Sequence, residues 1–213
     1  NGNVLDILNR NYDNCLDKTY IKLTKVNNVY VKVMYKLDVV PYTTEYYIIK
    51  FISRILTDGM MSVLYKKLRI DKKLVYGVSS KLLLSNYDSN FVIKFETEPK
   101  HLKNCVEEIF KSINTLKNNI NKQIYKLAYE KIKTDYDLSH TDNRIDLLVE
   151  HYEDLIKFNQ IGKNMLSIDK FYENLLKVKQ QPIKKFLKQN FIKNNCKVFY
   201  GSKKNTGKQI RFM

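Results

Sequence analysis

The chain has 213 residues, which suits one domain, or one domain with tails. At 44% hydrophobic it can bury a sizeable core, and it has no run of about 18 apolar residues, so an ordinary membrane-spanning helix is not expected. Lys and Arg outnumber Asp and Glu by 38 to 22, a formal charge of +16, but no block of five basic residues occurs, as a concentrated nucleic-acid arm would show.

Residues 1–25 are mixed, with Asn9, Asn11, Asp13 and Asn14 clustered, and read as a lead-in segment or linker with room for one short helix. Asn1 to Arg10 lack the charged start and apolar run of a signal peptide. The first residue is Asn, so a processed product, a fragment or a chain with an unseen start is expected. From Val26 the pattern changes. Val29, Val31, Val33 and Tyr35 alternate with Tyr30, Lys32, Met34 and Lys36, which predicts a strand. Pro41 punctuates, and Tyr42-Thr43-Thr44-Glu45 offers N-cap chemistry ahead of Tyr47, Ile48, Phe51, Ile52, Ile55 and Leu56. Their three- and four-residue steps predict an amphipathic helix.

Asp58-Gly59 should end that helix. Ser62 to Leu68 reads as a short second helix, with Val63, Leu64 and Leu68 on one face. Leu74–Leu84 and Phe91–Thr97 are strand candidates separated by the turn-rich residues 86–90. After Pro99 the period is helical to about Phe191. Four apolar stripes are predicted: Leu102/Val106/Ile109/Phe110/Ile113, Ile124/Leu127/Ala128/Ile132/Tyr136, Leu147/Leu148/Tyr152/Leu155/Ile156 and Phe171/Leu175/Leu176/Val178. Pro182 sets the start of a fifth helix through Phe186, Leu187 and Phe191. Cys196–Tyr200 is a closing strand with Gly201 as its stop, and residues 202–213 form a basic tail. Strands interrupted by blocks of helix do not fit a doubly wound fold. They predict an α+β domain, with a mostly antiparallel sheet covered on one face by helices.

The sequence carries little chemistry of its own. His101, His140 and His151 are the only histidines, and no two stand four apart as a helical zinc pair requires. Glu150-His151 has the end of H-x-x-E-H, but Leu147 fills the first ligand position, so the two read as ordinary helix residues. No G-x-S-x-G and no Gly-rich phosphate loop occurs. Cys15, Cys105 and Cys196 are odd in number and far apart, which argues against a disulfide scaffold or a cysteine zinc site and favours a reducing compartment, with one bridge and one free thiol as the alternative. The dispersed Lys, interleaved with Asn and Tyr, also fits the composition of an AT-rich genome.

The informative stretch runs from Ile55 to Thr97. A helix ends in Leu56, Gly59 follows with Ser62 and Leu64, then Leu68-Arg69, a short basic spacer, and Leu74-Val75-Tyr76-Gly77-Val78-Ser79 before the strand Phe91 to Phe95. This order resembles the insulinase/pitrilysin family of zinc peptidases, which includes the mitochondrial processing peptidase. The likeness extends from about Val26 to Gly201 through the later helices and the strand ending Val198-Phe199-Tyr200-Gly201. Arg69 and Tyr76 are spaced like the Arg/Tyr pair of the family's C-terminal half.

The resemblance implies a domain over residues 26–201 with the processing-peptidase-type metallohydrolase module. It implies the metal-free, substrate-binding half of a zinc endopeptidase, inactive alone. Zinc would be held by a catalytic half carrying H-x-x-E-H, supplied by the same precursor or by a separate chain. Tyr76 would donate its hydroxyl to the developing oxyanion or a neighbouring peptide carbonyl. Arg69 would hold substrate carbonyls or a carboxylate, and Gly77 would line the peptide path. Read from the residues alone, Tyr76 is an interior strand tyrosine and Arg69 a helix-end cation favoured by the macrodipole. A structural or docking subunit of the same fold, and a basic nucleic-acid-binding domain, are the competing functions.

Overall fold

The computed structural model describes residues 18–22, 27–84, 88–139, 149 and 166–203. Five strands form one sheet: β1 (Lys18–Lys22), β2 (Val29–Leu37), β3 (Val75–Leu84), β4 (Ser89–Thr97) and β5 (Cys196–Ser202), in the order β1-β5-β2-β4-β3. β5, β2, β4 and β3 are each antiparallel to their neighbours in that run, and β1 joins the edge parallel to β5. The last strand of the domain therefore sits inside the sheet, between the first two. The α+β expectation holds.

Alternation in β2 explains how the sheet is dressed. Val29, Val31, Val33, Tyr35 and Leu37 are buried, while Tyr30, Lys32 and Lys36 are exposed. One face is thus greasy and takes the helices, and the other, with Tyr30, Lys32 and Lys36, is not covered by any of the described helices. The central helix α1 (Thr44–Thr57) begins where Thr43 Oγ1 accepts the Tyr46 N–H at 3.4 Å. It buries eight of its residues, because it packs on β3 beneath and on further helices above. After α2 (Leu102–Asn118), which packs on the last of them, those helices are α3 (Lys122–Ser139), α4 (Ile168–Leu176) and α5 (Gln180–Asn190). None of the described helices is long and apolar enough to cross a membrane.

Several boundaries differ from the sequence expectation for identifiable reasons. Gly201 does not stop β5; it lies within the strand, paired with Tyr30 on one side and Ile21 on the other. Lys18–Lys22, inside the expected lead-in segment, form the edge strand β1. Pro182 is the third residue of α5 rather than its start, still in the first turn, where its missing N–H leaves no helical bond unmade. In α3 the inward face is Ala128, Ile132, Asp135 and Ser139, so Leu127 of the predicted stripe is 42% exposed. The face is rotated because Asp135, fully buried, is held by Lys131 at 2.7 Å and by Arg54 of α1 at 3.4 Å. A buried carboxylate with two cationic partners occupies a core position that hydrophobicity cannot reveal. The stripe from Leu147 to Ile156, Glu150-His151 and Cys15 lie outside the described residues.

Candidate functional site

The short second helix runs through a π-helical turn, Tyr65–Asp71, with Leu64 and Leu68 fully buried beneath it. Lys73 then takes a left-handed conformation (φ 53°), and the Leu74 N–H closes onto the Leu68 carbonyl at 2.8 Å. This reverses the chain into β3 within three residues, a helix stop of the Schellman kind widened by the π turn. Arg69 lies in the last turn of the helix and Tyr76 at the start of the strand, so the corner brings them together.

β3 opens with a bulge. Val75 pairs with Thr97 and Val78 with Phe95, which leaves Tyr76 and Gly77 together opposite Glu96. The extra residue lets Val75 and Val78, three apart, both reach the core, and it frees Tyr76 from regular pairing. Tyr76 is 79% exposed, which is not the position of an interior strand tyrosine. The Arg69 guanidinium carbon lies 5.2 Å from the centre of the Tyr76 ring, and Nη1 donates to the Val75 carbonyl at 3.2 Å. Gly77 has no atom within 4 Å of where a Cβ would stand, so the bulge leaves open space beside the backbone.

Three links brace this corner. Thr97 Oγ1 donates to the Leu74 carbonyl at 2.7 Å and accepts from Cys105 Sγ of α2 at 3.5 Å. Burial pushes the Cys105 thiol up to about 11, opposed by its bond to Thr97. Lys72 meets Glu108 of α2 at 2.7 Å, and that bond to Lys72 holds the Glu108 carboxyl below the usual range against the opposing effect of burial. Cys105 and Cys196 are both buried, and neither is in a disulfide among the described residues.

Gly77 also lines a shallow concavity of about 740 Å³ on the open face of the sheet, with Tyr30, Lys32, Met34, Lys94 and Phe199 among its walls. Sequence reading did not single out this face, although the period-2 alternation of β2 marks which side chains point to it. A second cleft, about 240 Å³, lies between α1, β3 and α4. Its floor is already occupied by a hydroxyl cluster, with Ser80 Oγ 2.8 Å from Ser53 Oγ and 2.7 Å from Thr57 Oγ1.

The described residues do not fit a zinc ion: no three His, Cys, Asp or Glu side chains among them converge. His101 is half-buried at the start of α2, and the other two histidines are outside the described residues. What the corner offers instead is a phenol donor and a guanidinium fork at the rim of an open sheet.

The comparisons bear on the whole domain. No curated protein matches the chain. Solved structures do, at identities that speak to the fold alone. A protease from Helicobacter pylori superposes with a TM-score of 0.71 at 16% identity, over 86% of this chain and 43% of its own. A chain of Complex III2 from Candida albicans gives 0.69 at 12%, over 89% and 46%. An inactive peptidase domain from Bordetella parapertussis, assigned to a zinc protease, gives 0.64 at 14%, over 84% and 96%. The chain thus spans less than half of the first two and nearly the full length of the third. The family model described as the peptidase M16 inactive domain matches residues 13–132, more than half of the sequence. The insulinase-type resemblance is thereby shown at the level of the family, and the chain belongs to the peptidase M16 inactive-domain family.

Proposed function

We propose that this domain is the substrate-binding, metal-free half of a zinc endopeptidase, and that Arg69 and Tyr76 act on peptide held against a catalytic half. The single observation that carries the reading is the exposed phenol of Tyr76, set on a β-bulge and steadied by the guanidinium of Arg69.

The chemistry follows from the parts. Peptide hydrolysis builds negative charge on the scissile carbonyl oxygen. A neutral O–H donor fixed where that charge develops lowers the barrier, and one such donor can contribute about 3–4 kcal/mol. Zinc, where the catalytic half holds it, polarises the carbonyl and activates water. Tyr76 donates to the oxyanion or its neighbouring carbonyl. Arg69 has one amine face on Val75 and its remaining donors available for a substrate carbonyl or carboxylate. Gly77 leaves room for the peptide backbone to approach.

A second reading is favoured by one finding: a chain of similar fold is part of Complex III2 from Candida albicans. In that reading the domain is a structural or docking subunit without a role in cleavage.

One experiment separates the two. The 213-residue chain is purified alone and with the H-x-x-E-H-bearing half that accompanies it in its source. Zinc content and cleavage of a quenched fluorogenic peptide are then measured. The peptidase reading expects no zinc and no cleavage from the chain alone, and both in the complex. Chelator-sensitive cleavage by the chain alone contradicts it, and a zinc-free partner that never cleaves leaves the structural reading standing.

A further inference from the structure

The open face of the sheet has a charge pattern that alternation alone does not require. Lys32 of β2 is directly opposite Lys94 of β4, and the same cross-strand row continues to Phe199 of β5 and Ser79 of β3. Like charges placed directly opposite in a sheet cost stability relative to neutral pairs. The next row along reads Lys197, Met34, Val92, Lys81, with a cation at each end of an apolar centre. Among the described residues neither Lys32 nor Lys94 is in an ion pair, and no carboxylate lines the concavity between them. The one acid in the adjoining row, Glu96, already accepts a hydrogen bond from Asn28 at 2.8 Å.

We infer that this face selects acidic peptides: an extended segment lies along the sheet with a Glu or Asp carboxylate between Lys32 and Lys94 and an apolar side chain over Met34. The inference deepens the peptidase reading and rests on it. The geometry is matched in two respects. Rows of a strand on one face are spaced about 6.5–7 Å apart, the repeat of side chains on one face of an extended peptide. Two ammonium groups flanking one site are relieved, not crowded further, when a carboxylate enters between them. The aromatic walls at Tyr30 and Phe199 supply the apolar contact that a flat lysine face would lack.

The test uses the full chain and three labelled peptides of equal length that differ only at two positions: Glu, Gln or Lys. Binding is followed by fluorescence anisotropy at low and physiological salt. The expected order is Glu over Gln by about tenfold or more at low salt, with the gap narrowing as salt rises, and no saturable binding of the Lys peptide. Lys32→Glu/Lys94→Glu should remove the Glu preference. Lys126→Glu/Lys133→Glu, an identical charge change at exposed positions of α3, should leave affinity within about twofold. Equal losses from the two double variants, equal binding of Glu and Gln peptides, or tighter binding of a single-stranded oligonucleotide through the same two lysines would each overturn the proposal. Failure of this selectivity is separable from failure of the peptidase reading. If the Gln peptide binds as well as the Glu peptide and turnover still depends on Tyr76, only the acidic preference is lost. If the Glu peptide binds selectively while turnover ignores Tyr76, the acidic preference stands and the catalytic role falls.

Discussion

Arg69 lies over the ring of Tyr76, its guanidinium carbon 5.2 Å from the ring centre, while one of its amines donates to the carbonyl of Val75, the residue just before that tyrosine. One side chain thus fixes both the backbone and the ring of the residue that would face substrate. A lysine keeps the charge but loses the planar fork that does both jobs at once. Arg69→Lys should cost about 0.5–1.5 kcal/mol in urea unfolding and weaken peptide binding by the complex more than its stability loss explains. A fully silent substitution would mean the contact does not organise the corner.

The backbone ahead of Tyr76 depends on Thr97. Its hydroxyl donates to the Leu74 carbonyl and accepts from the Cys105 thiol, all in a largely buried setting. Thr97→Val preserves shape and removes the hydroxyl, so both partners lose it; a loss of about 1–3 kcal/mol is expected by chemical denaturation. Because burial pushes the Cys105 thiol up to about 11, it should resist alkylation at pH 8 in the native protein, and the folded variant, lacking the Thr97 bond that opposes this shift, should resist it at least as well.

The Lys72–Glu108 link gives the corner a pH dependence whose sign can be worked out. Glu108 titrates below its ordinary value of 4.5 in the fold, chiefly because Lys72 hydrogen-bonds its charged form. A depressed carboxylate adds stability that is fully present above the unfolded value. That stability is lost as pH falls through the folded value. Lys72→Met should therefore be less stable than the parent near pH 7, and the two should converge as pH drops below about 4. Denaturant titrations across pH 3 to 7 check this; a constant gap would place the effect elsewhere.

Much of the fold was legible because burial follows period. The alternation of Val29 to Tyr35 marked β2 and its inward face, and Tyr42-Thr43-Thr44-Glu45 ahead of Tyr47 to Leu56 marked the start of α1, though not which threonine caps it. The position of β5 in mid-sheet was not legible, since Cys196–Tyr200 looks like any short closing strand and strand order depends on contacts far apart in sequence. Asp135 hid the inward face of α3 for a different reason: its burial rests on Arg54, 81 positions away, which no local pattern can report. The corner was readable as a resemblance, Leu68-Arg69 followed by Tyr76-Gly77. Its bulge was not, because the extra residue is defined only by the register against Glu96. The basic face was not singled out in the sequence: alternation puts Lys32 on the outer side of β2, but only the sheet register sets it beside Lys94.

The most direct measurement of the central claim is turnover by the assembled enzyme carrying Tyr76→Phe. The ring stays under Arg69, so folding stability should shift by no more than about 0.5 kcal/mol at this exposed position. The rate should change, because the hydroxyl that we propose faces the oxyanion is gone: kcat falls about a hundredfold with KM little altered. A variant that assembles normally and cleaves peptide at the parental rate would contradict the account.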